Sequence, residues 1–206
     1  MAEILIIGCG PGAQEYLTPM ARKAALSADV LLGSQTYLAM FPESKAERVE
    51  VHRAKKCVAE IQSRMESARI IAVLVSGDPG VSSMSSSITK RIGLEKCRII
   101  PGISSVQLAF ARIGVEWQDA KIIKSHKRAP VDDIVETAKE KKVALLSETP
   151  FALEWGADLA VKMGNPDIYV CQNLSLPDEK ITLVSAGELR TLNASKLTVV
   201  IFLNRE

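Results

Sequence analysis

The chain has 206 residues, 47% of them hydrophobic, and its 26 basic and 24 acidic side chains leave a formal net charge of +2. That hydrophobic content excludes a disordered chain, and the length allows one large domain or two small ones. A nearly neutral chain with 4% aromatic residues is not typical of a nucleic-acid-binding protein, so we expect no nucleic-acid partner.

The apolar runs are too short for a membrane-spanning helix, which needs about 20 residues. The N-terminus enters an apolar segment without the basic region of a signal peptide. The 4 cysteines are widely spaced, and neither they nor the 2 histidines form a metal-binding motif. We therefore expect a cytoplasmic protein with reduced thiols, no membrane partner and no metal site.

Apolar segments alternate with helical patterns in the first half of the chain. The predicted strands are 3–8, 29–33, 69–76 and 97–100, and helices are predicted from Thr18-Pro19, from Ser34, over 54–67, within 82–87 and over 103–113. The first strand is apolar almost throughout, as a parallel sheet that is buried on both faces requires. This alternation predicts an α/β domain with a parallel sheet.

The segment 114–119 interrupts this pattern, which predicts an N-terminal α/β domain, residues 1–115, and a C-terminal α+β domain, residues 116–206. The predicted strands of the second domain are 121–124, 143–147, 167–172, 180–184 and 197–203. Its predicted helices are 131–141, 151–163 and one that begins with the capping box Ser185-x-x-Glu188. Two closely spaced strands near the end favour antiparallel pairing and hence a mixed sheet.

Three loops follow predicted strands of the first domain: Gly8–Gly12 (GCGPG), Val75–Gly80 (VSGDPG) and Pro101–Ser105 (PGISS). Open α/β sheets bind ligands at the carboxyl ends of their strands, so we expect these loops to line one crevice. Each also has a purely structural interpretation, as tight-turn glycines, an Asx turn at Asp78 or helix-capping serines. Pro11 removes a backbone amide and no G-K-[ST] follows, so no phosphate cradle is indicated.

A basic segment, Lys121–Arg128, follows the predicted domain boundary. Its positive charges could bind a substrate rich in carboxylates, with Arg128 as a bidentate donor, or could lie on a solvated surface. His126 could act as a general base near neutral pH, although a lone histidine is more often a structural residue.

Taken in order, these segments resemble the tetrapyrrole methylase family, the S-adenosylmethionine-dependent enzymes of corrin and sirohaem synthesis. The segments that carry the resemblance are IIGCGPG at 6–12, ADVLLGS at 28–34, VSGDPG at 75–80, PGISS at 101–105, SHKR at 125–128 and QNLSLPDEKI at 172–181. The last two are more similar to the branch that methylates C5 of cobalt-precorrin-7, a substrate of the precorrin-6Y type. Gln172 stands where that branch usually has an acidic residue, and Lys127 where it has glycine.

The resemblance implies a two-domain fold, normally a homodimer, with S-adenosyl-L-methionine in the cleft between the domains. The positions it places at the cofactor are Pro11, Gly77, Asp78, Val81, Ser104 and Ser105 in the first domain, and Leu146 or Ser147, Asn173 and Leu174 in the second. Lys124 and Arg128 would bind the acidic side chains of a tetrapyrrole substrate, and His126 would accept the ring proton.

The implied reaction is methyl transfer from a sulfonium to C5 of cobalt-precorrin-7 in cobalamin biosynthesis. Within the same superfamily, the alternatives are another precorrin methylase or a diphthine synthase, which methylates the modified histidine of elongation factor 2. An alternative of a different class is a non-catalytic cofactor-binding regulatory module. Titration with S-adenosylhomocysteine would distinguish these classes.

Overall fold

The computed structural model describes residues 2–125, 128–147 and 149–204. The chain divides into two compact units, Met1–Ser104 and Ser105–Glu206. The division precedes helix Ser105–Ile113, because that helix packs against strand Thr198–Leu203 of the second unit. The predicted domain boundary at 115/116 lies near the other end of the same helix and stays a prediction.

The first unit is built on a parallel sheet of strand order β3-β2-β4-β1-β5. The strands are β1 (Glu3–Gly8), β2 (Val30–Gly33), β3 (Glu47–Glu50), β4 (Ile70–Val75) and β5 (Cys97–Ile100). The helices are α1 (Pro19–Leu26), α2 (Gln35–Leu38), α3 (Ala54–Arg64) and α4 (Ser85–Ile92), with 3-10 turns at Gln14–Tyr16 and Leu94–Lys96. The predicted α/β architecture with a parallel sheet is confirmed.

The central strand β1 is buried on both faces of this sheet. Ile4 and Ile6 pack into one hydrophobic cluster, whereas Leu5 and Ile7 pack into a second cluster on the opposite face. All four side chains are fully buried. The continuous apolar run of this strand therefore follows from helices covering both sides of the sheet.

Local signals predicted the start of α1 correctly but missed strand β3. Thr18 caps α1, with its Oγ1 accepting a hydrogen bond from the Ala21 N–H at 3.1 Å, and Pro19 is the first helical residue. The sequence of β3, ERVE, has one apolar residue and lacks the alternation of a typical strand. It pairs with β2 at the edge of the sheet, where charged side chains face solvent.

The second unit is built on a mixed sheet of strand order β6-β7-β10-β8-β9, in which β6 and β7 are parallel and the other pairs antiparallel. The strands are β6 (Lys121–Ser125), β7 (Lys142–Ser147), β8 (Asp167–Gln172), β9 (Lys180–Val184) and β10 (Thr198–Leu203). The helices are α5 (Ser105–Ile113), α6 (Ile134–Thr137), α7 (Pro150–Lys162) and α8 (Ala186–Thr191). The predicted mixed sheet is confirmed.

The predicted helix over 131–141 is wrong in length, because only α6 forms there. Asp133 starts it by accepting hydrogen bonds from the N–H groups of Val135 and Glu136 at 2.8 and 3.0 Å. Thr137 is fully buried and accepts a hydrogen bond from Lys121 Nζ at 3.2 Å, and the chain then turns into β7. Tertiary contacts thus end a helix that its local pattern would have continued.

The predicted capping box at the start of α8 is confirmed. Ser185 Oγ accepts a hydrogen bond from the Glu188 N–H at 3.3 Å, and Glu188 Oε2 accepts one from the Ser185 N–H at 2.7 Å. Over the described residues, every helix is too short or too polar to span a lipid bilayer.

Candidate functional site

The loops that follow β1 and β4 lie side by side at one edge of the first sheet. The Gly77 N–H donates to the Gly10 carbonyl at 2.8 Å, and the Gly10 N–H donates to the Gly77 carbonyl at 3.2 Å. Gly10 and Gly77 have φ of +75° and +59°, the left-handed region in which glycine is favoured. The GCGPG and VSGDPG loops are therefore joined through backbone without side chains.

The loop after β5 packs against the same backbone. A Cβ on Gly102 would lie 2.4 Å from the Gly77 carbonyl oxygen, and a Cβ on Gly8 would lie 2.7 Å from the Gly102 nitrogen. Side-chain carbon atoms do not approach backbone that closely, so the contact of these three loops requires glycine at both positions. The predicted convergence of the three loops is thus seen within the first unit.

Asp78 fastens two of these loops together. Its Oδ1 accepts a hydrogen bond from the Gly80 N–H at 2.7 Å, which is an Asx turn, and its Oδ2 accepts one from the Gly102 N–H at 3.1 Å. The Asx turn of the structural interpretation is therefore present, although Asp78 does not cap helix α4, which begins only at Ser85. Each carboxylate oxygen keeps further acceptor capacity, and the role of Asp78 at the cofactor stays a prediction.

The serine-rich run after Asp78 holds the same loop from its other side. The Pro79 carbonyl accepts hydrogen bonds from Ser83 Oγ and Ser85 Oγ, both at 2.6 Å. Val81, which is half-buried, donates its N–H to the Asp78 carbonyl at 3.0 Å. Helix α4 begins only at Ser85, because the preceding serines take part in this turn.

The remaining residues predicted at the cofactor also follow strands of the first sheet. Pro11 comes directly after the Gly10 pairing and is half-buried. Ser104 follows β5 and is 2% exposed, and Ser105 is the first residue of α5. Contact of these residues with a cofactor stays a prediction.

Tyr37 was not singled out in the sequence, yet its side chain reaches the VSGDPG loop. It is hydrogen-bonded to Ser76, the neighbour of Gly77, and burial raises the pKa of its hydroxyl above the ordinary value. Burial also raises the pKa of the nearby Cys9 thiol to about 12, so Cys9 stays protonated and is no nucleophile. The available signal for Tyr37 was its place just after β2.

In the second unit, a row of polar side chains crosses one end of the sheet. Ser125, Ser147, Thr198 and Gln172 are successive register partners on β6, β7, β10 and β8. Ser125 and Ser147 are each 3% exposed and Thr198 is 4% exposed. The predicted cofactor residue Ser147 therefore lies in the interior of this row.

Ser195 links this row to Asn173, and no sequence motif pointed to it. Its N–H donates to Gln172 Oε1 at 3.1 Å, and its Oγ donates to Asn173 Oδ1 at 2.8 Å. Ser195 also lines a cavity of about 50 Å³ together with Ser147, Thr149, Pro150, Leu153, Leu192, Asn193 and Ala194. The structure thus brings Ser147 and Asn173 to the same end of the second sheet.

The Asn173-Leu174 pair lies in a tight turn after β8. Asn173 and Ser175 have φ of +51° and +71°, and Asn173 Nδ2 donates to Asp178 Oδ2 at 2.7 Å. Leu174 is 5% exposed between them. The amide of Asn173 is therefore engaged within its own unit, and the role of this pair at a cofactor stays a prediction.

The side chains of the basic segment differ in their surroundings: Lys121 is bound by other residues of the chain, whereas Lys124 and Arg128 extend into solvent. Lys121 is engaged by Thr137 and lies 3.9 Å from Glu140 Oε1. Lys124 and Arg128 are exposed, and neither forms an ion pair with another described residue. His126 and Lys127 lie outside the described residues. In the part of the chain that the structure describes, no group of His, Cys, Asp and Glu side chains is arranged to hold a metal ion.

The sequence profile of the family Tetrapyrrole (Corrin/Porphyrin) Methylases matches residues 3–190. The chain belongs to this family. It is accordingly a methyltransferase, and the predicted family resemblance is confirmed.

Two proteins described as methyltransferases are similar to the chain over most of its length. A protein of Methanocaldococcus jannaschii, described as a probable cobalt-precorrin-7 C(5)-methyltransferase, is 34% identical over 97% of both chains. The cobalt-precorrin-7 C(5)-methyltransferase of Salmonella typhimurium is 30% identical over 86% of this chain and 88% of that protein.

A solved structure supports the same fold assignment. The uroporphyrin-III C-methyl transferase of Thermus thermophilus, crystallised with S-adenyl homocysteine, superposes with a TM-score of 0.81 at 17% identity. The match covers 98% of this chain and 92% of that one. This likeness shows the fold, and the predicted two-domain tetrapyrrole-methylase-like architecture is confirmed.

Proposed function

We propose that this tetrapyrrole methylase transfers a methyl group from S-adenosyl-L-methionine to C5 of cobalt-precorrin-7, a step of cobalamin biosynthesis. The observation that carries the proposal is the 34% identity to the Methanocaldococcus jannaschii protein across 97% of both chains. Such a match spans both units, whereas the fold alone is shared by methylases that act on different tetrapyrroles.

The loops of the first unit fit a cofactor that has no phosphate group. Gly10 and Gly77 present bare backbone beside Pro11, which has no N–H to offer to a phosphate. S-adenosyl-L-methionine supplies, when bound, a methyl group activated on a sulfonium sulfur. The residues proposed to hold it are Pro11, Gly77, Asp78, Val81, Ser104, Ser105, Ser147, Asn173 and Leu174.

The chain's contribution to the rate is chiefly positioning, because a sulfonium methyl group is already a strong electrophile. Holding two reacting atoms in line converts an encounter into an intramolecular step. Asp78 supports this by fixing the spacing between the loops after β4 and β5. His126 is the proposed acceptor for the proton that leaves the ring.

Lys124 and Arg128 are the proposed contacts for the acidic substrate. Both are exposed and carry charges that no described acidic side chain neutralises. The planar guanidinium of Arg128 matches the geometry of a carboxylate, and the Lys124 ammonium adds a second point charge.

We also infer that the protein works as a homodimer in the cytoplasm. Its cysteines are free, as expected of a reducing compartment. Light scattering on the purified protein checks the homodimer, and a monomer mass would contradict it.

The function is tested by incubating the protein with methyl-labelled S-adenosylmethionine and cobalt-precorrin-7. We expect the label at C5, located by NMR of the product. The double variant Lys124→Glu/Arg128→Glu should raise KM for the tetrapyrrole at least tenfold, whereas Lys162→Glu, at the exposed last residue of helix α7, should not.

Label on another ring position, or transfer only to a different precorrin, would overturn the substrate assignment. Transfer to elongation factor 2 instead would identify a diphthine synthase. An absence of S-adenosylhomocysteine binding in calorimetry would contradict the proposed cofactor as well.

A further inference from the structure

The carboxylate of Glu179 joins the turn after β8 to helix α5. Its Oε2 accepts a hydrogen bond from the Ser175 N–H at 2.6 Å, and its Oε1 accepts one from Arg112 Nε at 2.6 Å. The Glu179 side chain is 23% exposed. A partly buried carboxylate with two such donors is a stronger link than an exposed ion pair.

The turn that Glu179 holds has an unusual backbone. Asn173 and Ser175 both have positive φ, although neither is glycine. Backbone of this kind persists only where the surroundings over-determine it. Backbone bonds from the Asn173 N–H to the Leu197 carbonyl and from the Leu176 N–H to the Asn173 carbonyl, both at 2.9 Å, hold part of this turn. Three side chains add to them: Asp178 and Ser195 at Asn173, and Glu179 at Ser175.

Arg112 connects this turn to a second predicted cofactor segment. It lies near the end of α5, the helix that begins at Ser105. The Arg112 guanidinium, together with the Ser175 N–H, holds the pKa of the Glu179 carboxyl below its ordinary value, which keeps Glu179 charged. One ion pair thus links the turn that carries Asn173 and Leu174 to the helix that carries Ser105.

We propose that Glu179 is a positioning residue for the S-adenosyl cofactor, and that its pair with Arg112 holds the turn Asn173–Ser175 in its binding conformation before the cofactor arrives. The inference rests on the proposed function, which places Asn173 and Leu174 at the cofactor. It assigns no contact between Glu179 and the cofactor or the tetrapyrrole.

The test compares Glu179→Ala with the wild-type protein, using S-adenosylhomocysteine in calorimetry. If the turn adopts its binding conformation only about a tenth of the time without Glu179, the apparent Kd rises about tenfold. KM for S-adenosylmethionine should rise equally, while kcat at saturation stays within about twofold of wild type. Hydrogen exchange at the Ser175 amide should be faster in the cofactor-free variant.

Two further variants separate positioning from a general loss of stability. Glu179→Gln keeps an oxygen for the Ser175 N–H but loses the charge that pairs with Arg112, so its Kd should lie between those of wild type and Glu179→Ala. Asp158→Ala removes a different ion pair of the same unit, that with Arg190, and should change neither the Kd nor the exchange at Ser175.

A Glu179→Ala protein with wild-type Kd and wild-type exchange at Ser175 would overturn the inference. So would a Kd change that Asp158→Ala reproduces. If Glu179→Ala does not fold, a folded Glu179→Gln protein with the wild-type Kd and wild-type exchange at Ser175 would also overturn it. Failure of the wild-type protein to bind S-adenosylhomocysteine would instead contradict the proposed function, and the exchange data would still report whether Glu179 holds the turn.

Discussion

The Asp78 carboxylate accepts a hydrogen bond from the Gly102 N–H at 3.1 Å, across 24 positions of the chain. This bond joins the loops that follow β4 and β5, while Gly77 pairs with Gly10 on the loop after β1. The three loops at the carboxyl ends of these strands are therefore linked to one another by hydrogen bonds.

Replacing Asp78 should release two of these loops. Asp78→Ala leaves the partly buried amide of Gly102 and the exposed amide of Gly80 without their acceptor, so we expect a loss of about 1–3 kcal/mol in the free energy of unfolding. The Kd for S-adenosylhomocysteine should rise as well. Urea denaturation and calorimetry measure the two effects, and Glu66→Gln, at an exposed position, is the matched control. Wild-type values for both quantities in Asp78→Ala would contradict the fastening role.

Adding one methyl group at Gly102 should be more damaging than removing Asp78. The new Cβ would lie 2.4 Å from the Gly77 carbonyl oxygen, so backbone must move, and we expect Gly102→Ala to lose about 3 kcal/mol or more. Gly187→Ala is the opposite control, because its nearest neighbour would be 4.0 Å away inside α8. That variant should gain about 0.5–1 kcal/mol. Thermal denaturation compares them, and equal changes of the same sign would refute this account.

Gln172→Glu should be tolerated, although the sequence departs from its branch at this position. The Gln172 side chain acts through Oε1, which accepts the Ser195 N–H, and a carboxylate oxygen can accept the same bond. We expect stability and cofactor affinity within about 0.5 kcal/mol of wild type. Gln172→Leu removes the acceptor and should cost about 1–2 kcal/mol. Urea denaturation of both variants checks this, and equal losses in the two would show that the Oε1 acceptor is not what Gln172 contributes.

The Asp29 carboxylate should contribute stability that disappears in acid. Its Oδ2 accepts the N–H groups of Ile70 and Arg69, and these bonds hold the pKa of Asp29 below the ordinary value of 3.8. A group with a lowered folded pKa stabilises above its unfolded pKa and loses that effect as the pH falls through its folded pKa. The stability difference between wild type and Asp29→Asn should thus be largest near neutrality and shrink below about pH 4.

Urea denaturation between pH 7 and pH 3 measures this difference. Glu66→Gln should show no comparable pH dependence relative to wild type, since Glu66 is exposed. A difference between wild type and Asp29→Asn that stays constant over this range would show that the carboxylate charge has no role.

The cysteines should differ in their reactivity towards alkylating agents in the native protein. Burial raises the pKa of Cys9, Cys57 and Cys171 to about 12, so at pH 8 about one thiol in ten thousand is ionised. Cys97 is only half-buried. Mass spectrometry after timed treatment with iodoacetamide should find Cys97 modified first, and modification of Cys9 before Cys97 would contradict the burial of the Cys9 thiol.

Local sequence signals predicted most elements because those elements follow from local chemistry. The bounds of β1, β5, β8 and β9 agree with the predicted strands, and Thr18 and Ser185 cap their helices as expected. The glycine-rich loops were placed correctly, since parallel strands share one carboxyl edge. Each loop, taken alone, could be an ordinary turn. Only the structure shows that the three loops are in contact.

Other parts of the site have no local signal. Strand β3 follows from edge pairing with β2, and the shortness of α6 follows from the burial of Thr137. Ser195 stands in an unremarkable polar segment, yet it meets Gln172 and Asn173 on another strand and loop. Long-range hydrogen bonds of this kind depend on which segments the fold brings together.

The length of 206 residues allowed one domain or two, and the net charge of +2 was too small to indicate a partner. The sequence by itself determined the alternation of strands and helices, the loops at the carboxyl ends and the family, because periodicity, turn residues and motif order are properties of neighbouring positions. Only the tertiary structure decided that Asp78 binds Gly102, that Ser195 connects the second sheet to its turn, and that Glu179 meets Arg112. The physical reason is that these bonds join residues far apart in the chain, whose separation is set by the packing of whole strands and helices.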